Sequence, residues 1–184
     1  VTGDASITGI LTGNASAISM GSLTINDAGT YNGSTGTTIV TTPNGSGWIW
    51  RNLEDDGTGY VHNNGTVHYN ASNTTTAYIA ENTFKHLKIT GGGASHAIIW
   101  RKIDGAGQTC AGDLTVHEGI FKSDANDSTY TVTGNVLIES GGDFGLASET
   151  GARTFGSLTI ASGGEYIATS GTTTITNKDG SAQA

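Results

Sequence analysis

The chain has 184 residues, of which Gly, Ser and Thr supply 75 and charged residues only 13%, and its net charge is −8. An ordinary helical domain is excluded, because each interior glycine costs a helix about 1 kcal/mol relative to alanine, and a single proline with no three-residue glycine period excludes collagen. Eight cations cannot build the basic stripe that phosphate neutralisation needs, and no apolar run is long enough for a membrane helix, so neither nucleic acid nor membrane insertion is expected.

Along the chain one pattern returns: apolar, any residue, apolar, then a glycine and an aromatic. It stands at Leu23/Ile25/Gly29/Tyr31, weakly at Val61/Gly65/Val67, and without the aromatic at Leu87/Ile89/Gly93. It returns in full at Leu114/Val116/Gly119/Phe121, Val136/Ile138/Gly142/Phe144 and Leu158/Ile160/Gly164/Tyr166. Ile49-Trp-Arg-Asn-Leu53 is echoed by Ile99-Trp-Arg-Lys-Ile103. A longer repeat overlies these: residues 11–49 align without gaps with 146–184, an offset of 135, and 15 of the 39 pairs are identical.

Each short unit reads as strands separated by glycine corners. Alternation in Leu158-Thr159-Ile160 sends Leu and Ile to one side and Thr to the other, and glycine supplies the φ > 0 that a tight corner needs. Similar phrases about 22 residues apart predict an all-β fold, a single-stranded parallel β-helix (β-solenoid). Residues 1–184 would form one such solenoid of about six to seven coils of roughly 22 residues, with longer loop-bearing coils around 32–58 and 94–110. Coils about 4.8 Å apart stack equivalent residues in columns. Leu23, Leu87, Leu114, Val136 and Leu158 are expected in one interior column, with Ile25, Ile89, Val116, Ile138 and Ile160 beside it.

The phrase Leu11-Thr-Gly-Asn-Ala-Ser-Ala-Ile-Ser-Met-Gly-Ser-Leu-Thr-Ile25, with Asn63-Asn-Gly-Thr-Val67 and Thr154-Phe-Gly-Ser-Leu-Thr-Ile160, resembles β-helical repeats of bacteriophage structural and tail-fibre proteins. It is also similar to the wording of large bacterial surface adhesins. The resemblance implies a fibrous, exterior, multi-copy protein that is not an enzyme.

The candidate chemistry is sparse. Trp48, Trp50, Arg51 and Asp55, beside Glu54 and Asp56, together with Trp100 and Arg101, are expected on loops 43–58 and 94–107. Aromatics beside charged groups are what sugar-binding surfaces use, although repeated tryptophans also serve packing. Asp143 and Glu165 fall at equivalent positions on adjacent coils, the one carboxylate pair a polysaccharide-cleaving reading could use; solvated corner residues are the plainer account. His62, His68, His86, His96 and His117 lack metal-ligand spacing, and Cys110 reads as a small core residue with no partner for an internal disulfide. No cofactor motif is present, so no cofactor is expected. Thr24, Thr115 and Thr159 would share an outward column, but Lys88 and Leu137 interrupt it, which breaks the lattice that an ice-binding face requires. Glycosylation sequons stand at Asn14, Asn32, Asn44, Asn64, Asn70, Asn73 and Asn126.

The functional expectation follows from the ends. No polar cap is evident, and an uncapped solenoid exposes apolar columns and strand edges. From the start at Val1 a mature product or a segment is expected. A structural fibre stacking head-to-tail with copies of itself, outside the cell or on a virion, is expected; a fibre or adhesin module binding receptors or surface glycans is the alternative, and a depolymerase the third reading.

Overall fold

The computed structural model describes residues 3–54, 58–71, 76–81, 83–91, 96–101, 107–123 and 128–177. These form a β-solenoid of about seven turns in which, among the described residues, every strand pairing is parallel and no helix occurs. Each turn has three faces, visited in fixed order.

The first face stacks Ala5–Ile7, Leu23–Ile25, Trp48–Asn52, Ala77–Ala80, Ala97–Arg101, the second half of Leu114–Ser123, Gly142–Phe144 and Glu165–Tyr166. The second face holds Ile10–Thr12, Thr30–Asn32 and Tyr60–Val61 as one ladder. It continues from Thr83–Phe84 through Gln108–Cys110 and the first halves of Tyr130–Ile138 and Arg153–Ile160 to Thr173–Ile175. On the third face Ile18–Met20, Thr37–Val40, Thr66–Asn70 and His86–Thr90 lead to the remaining halves of the three long strands, which bend round the corners between faces.

The interior is apolar because alternate side chains of every strand point into it. Val67, Leu87, Leu114, Val136 and Leu158 form one continuous column, and Tyr69, Ile89, Val116, Ile138 and Ile160 its neighbour. The expected place of Leu23 and Ile25 in these columns is corrected: Leu23 stands on the first face under Trp50, Ile79 and Trp100. The coils between are of unequal length, so the second copy of the 135-residue repeat lies one face out of step with the first.

Aromatics fill the core along the rod. Trp50 packs against Tyr31, Tyr60 and Phe84, with centroids 5.9, 4.9 and 5.7 Å away, and Phe84 leads to Trp100 at 5.5 Å. Phe121, Tyr130, Phe144 and Phe155 continue the chain. Near the far end Arg153 is fully buried, ion-paired with Glu149 and lying 4.7 Å from the Phe144 ring. Glu149 also accepts from the Ser123 amide at 2.7 Å.

The outward positions differ from face to face. The second face carries Thr83, Thr109, Thr131, Thr154 and Thr174 in unbroken register on five successive coils. The third face carries His68, Lys88, Thr115, Leu137 and Thr159. Thr24, on the first face beside Ser6 and Arg51, is not part of that row.

Candidate functional site

A turn at residues 44–48 positions the outward cluster of the first face. The Asn44 carboxamide oxygen accepts from the amides of Ser46 and Trp48, at 3.0 and 3.1 Å, and Gly47 takes φ +84°. The strand Trp48–Asn52 then carries a bulge relative to its neighbour: Trp48 faces Tyr78, whereas Trp50 faces Ile79. The extra residue lets Trp48 and Tyr78 stand half-exposed on the outside while Trp50 and Ile79 are wholly buried.

Arg51, Ala80 and Arg101 align beside these rings. The Arg101 guanidinium lies 5.2 Å from the Trp48 ring centre and 4.8 Å from that of Tyr78, and Arg51 lies 5.4 Å from Trp48. Aromatic rings with cations over them make an amphipathic, orientation-specific surface. Ile99 and Lys122 continue the outward row above Tyr78.

The expected loop site is therefore divided. Trp48, Arg51 and Arg101 come together on the outside of a strand ladder rather than on loops. Trp50 and Trp100 are core residues with no exposed surface. The Trp100 indole N–H is spent on the Glu81 carbonyl at 2.6 Å, and complete burial keeps both rings from facing a ligand. Asp55 and Asp56 lie outside the described residues. Tyr78 was not singled out by sequence reasoning; the alternation of Ala77-Tyr-Ile-Ala80 marks it as outward, but its pairing with Trp48 depends on coil length.

Asp143 and Glu165 are in register on adjacent coils and point outward, Glu165 exposed and Asp143 half-buried. Four of the histidines have partners of their own: His62 accepts from the Asn64 amide at 3.3 Å, His86 accepts from the Asp113 amide at 3.0 Å and lies 3.4 Å from its carboxylate, His68 meets the Thr90 hydroxyl at 2.9 Å, and His117 pairs with Glu139. Among the described residues no three His, Cys, Asp or Glu are placed to hold a metal ion, and no helix is long and apolar enough to cross a membrane. Burial pushes the Cys110 thiol up to about 12. Of the sequons, Asn14, Asn64 and Asn70 are exposed, Asn32 and Asn44 are half-buried, and Asn73 and Asn126 lie outside the described residues.

No family model, curated protein or solved structure matches the chain.

Proposed function

We propose that the protein is a structural fibre or filament component, outside the cell or on a virion, whose open coil ends carry further coils head-to-tail. The observation behind this reading is the state of the two end coils. Inward positions that are wholly buried in the middle of the rod, such as Ile138, are 47% exposed at Ile160 and 46% at Ile175. At the opposite end the inward Leu11, in register with the wholly buried Tyr31, is 38% exposed. The end strands Ala5–Ile7, Ile10–Thr12 and Ile18–Met20 each have one described neighbour, as do Glu165–Tyr166 and Thr173–Ile175. Edges with no second described partner, above exposed apolar columns, are what coil stacking uses up.

The test is electron microscopy and sedimentation of the purified chain at increasing concentration. Rods or end-to-end oligomers are expected, and the Ile160→Lys/Ile175→Lys double variant should disperse them while keeping the β-sheet circular dichroism. Wild-type particles that stay at 18.7 kDa throughout would overturn the reading.

The Trp48–Tyr78–Arg51–Arg101 cluster supports a second reading, in which the rod also holds a receptor or surface glycan. Glycan-array binding lost in Trp48→Ala and Tyr78→Ala would support it. Loss only in Trp50→Ala, a core change, would not.

A further inference from the structure

We propose that the threonine ladder of the second face is an ice-binding surface. Three observations of different kinds meet there. The first is spacing: Thr83, Thr109, Thr131, Thr154 and Thr174 repeat coil by coil without interruption. That places a hydroxyl and a methyl about every 4.8 Å along the rod. Thr129 and Thr133 flank Thr131 in sequence, and Thr172 and Thr176 flank Thr174, all exposed, while Thr109 and Thr154 are half-buried. Outward neighbours on a strand are about 6.7 Å apart, twice the rise per residue. The result is one continuous row, three threonines wide only on the coils of Thr131 and Thr174, because Gly107, Ala111, Ala152 and Gly156 flank Thr109 and Thr154; its repeat along the rod is close to a spacing of oxygen atoms on a prism face of hexagonal ice.

The second observation is the state of the hydroxyls. Some threonine hydroxyls are used internally: Thr38 bonds Tyr31, Thr41 bonds the Met20 carbonyl, Thr90 bonds His68, and Thr176 at the ladder's margin bonds the Phe155 carbonyl. Among the described residues the five ladder hydroxyls make no hydrogen bond within the protein, so they remain available to water held along the row.

The third is the distribution of charge. The first face turns Arg51, Arg101 and Lys122 outward, and the third turns His68 and Lys88 outward. The outward positions between and beside the ladder threonines from Gly107 to Thr176 are Thr, Ala or Gly, with Lys85 only at the first coil's margin. Charged groups orient water against an ice lattice; methyls and hydroxyls leave it free to adopt one. Behind the ladder Phe84, Cys110, Val132 and Phe155 are wholly buried, which holds the threonine backbone rigid.

This differs from the row of Thr24, Thr115 and Thr159, which Lys88 and Leu137 interrupt and which does not exist as one row in the fold. The occupant is an ice surface. It is independent of whether the rods stack end to end.

The test is nanolitre osmometry with an ice-recrystallisation assay on the full chain. Wild-type protein should facet ice crystals and hold them at constant size over an interval below the melting point. Thr131→Lys, at the centre of the ladder, should lose most of that interval with unchanged circular dichroism and melting temperature, whereas Thr115→Lys on the third face should keep it. No growth arrest by wild type, or equal loss in both variants, overturns the proposal. So does retention on crystalline cellulose without any effect on ice, which would assign the face to a polysaccharide.

Discussion

The Cys110 thiol donates to the carbonyls of Lys85 and Asp113, at 3.3 and 3.2 Å, and has no exposed surface. Burial holds its pKa at about 12, so the thiolate that alkylating reagents need is scarce. Iodoacetamide should therefore leave Cys110 unlabelled in the folded protein at pH 8 and label it fully in guanidinium, as intact mass will report. His68 behaves in the opposite sense. Burial, then the nearby Lys88 and His117, lower its pKa below the usual histidine value, and burial lowers His62 likewise. The folded chain then binds fewer protons at these sites than the unfolded chain once pH falls below about 6.5. Stability from this source is complete above that pH and declines as pH drops toward the folded pKa. Thermal melts from pH 7.5 to 5 should show a falling Tm, with a shallower fall in His68→Gln. That Cys110 is a core residue was readable from its small size and the Ala111 beside it; the burial of Trp50 and Trp100 was not. A tryptophan beside an arginine looks the same in sequence on either side of a strand, and only the bulge beside Trp48 decides which ring turns in.

At the scale of strands and corners, glycine is essential where coils approach most closely. A Cβ at Gly65 would overlap the Ser34 carbonyl oxygen in the coil below, with Gly36 also close. Both partners are backbone, so relief requires the corner between Tyr60–Val61 and Thr66–Asn70 to move away from its neighbour. Gly65→Ala should cost about 1–3 kcal/mol, the usual range for overpacking, or more. Gly45→Ala, with open space around its Cβ, should cost far less. Chemical denaturation of the two variants checks the contrast. The short period was legible because each Leu-x-Ile, Gly, aromatic phrase encodes one strand, one corner and the next strand. The expected column from Leu87 to Leu158 stands in the fold for that reason. Leu23 fell outside it because coils with insertions advance the chain by an uneven number of residues per turn, and offset alone does not reveal which face a phrase has reached. The threonine ladder was hidden by the same unevenness: its members are separated by 26, 22, 23 and 20 residues.

On the scale of the whole rod, the 135-residue repeat makes a prediction about its far end. Leu158–Ile160, Glu165–Tyr166 and Thr173–Ile175 reproduce Leu23–Ile25, Thr30–Asn32 and Thr37–Val40 down to individual bonds. The Tyr31 hydroxyl meets Thr38 at 2.7 Å and the Tyr166 hydroxyl meets Thr173 at 2.8 Å. The Thr41 and Thr176 hydroxyls each donate, at 3.2 Å, to the backbone of Met20 and Phe155. In the first copy a coil carrying Trp50, Tyr60, Val67 and Tyr69 covers these strands, so Ile25, Tyr31 and Val40 are wholly buried. Ile160 and Ile175 are instead nearly half exposed. Because residues 178–184 align with 43–49, a chain extended after Ala184 by the sequence of residues 50–70 continues the repeat in phase. Each apolar side chain fully buried contributes about 1.5–3 kcal/mol against the cost of ordering the added coil. Every 1 kcal/mol of net gain raises Tm by about 2–4 °C in a chain of this size. The extended protein should melt higher, and the Thr173–Ile175 amides should become slower to exchange hydrogen. One residue inserted at the junction would turn every inward side chain of the first added strand outward and should erase both effects. An in-phase extension that leaves Tm and exchange unchanged would mean that the repeated bonds do not make the two surfaces equivalent.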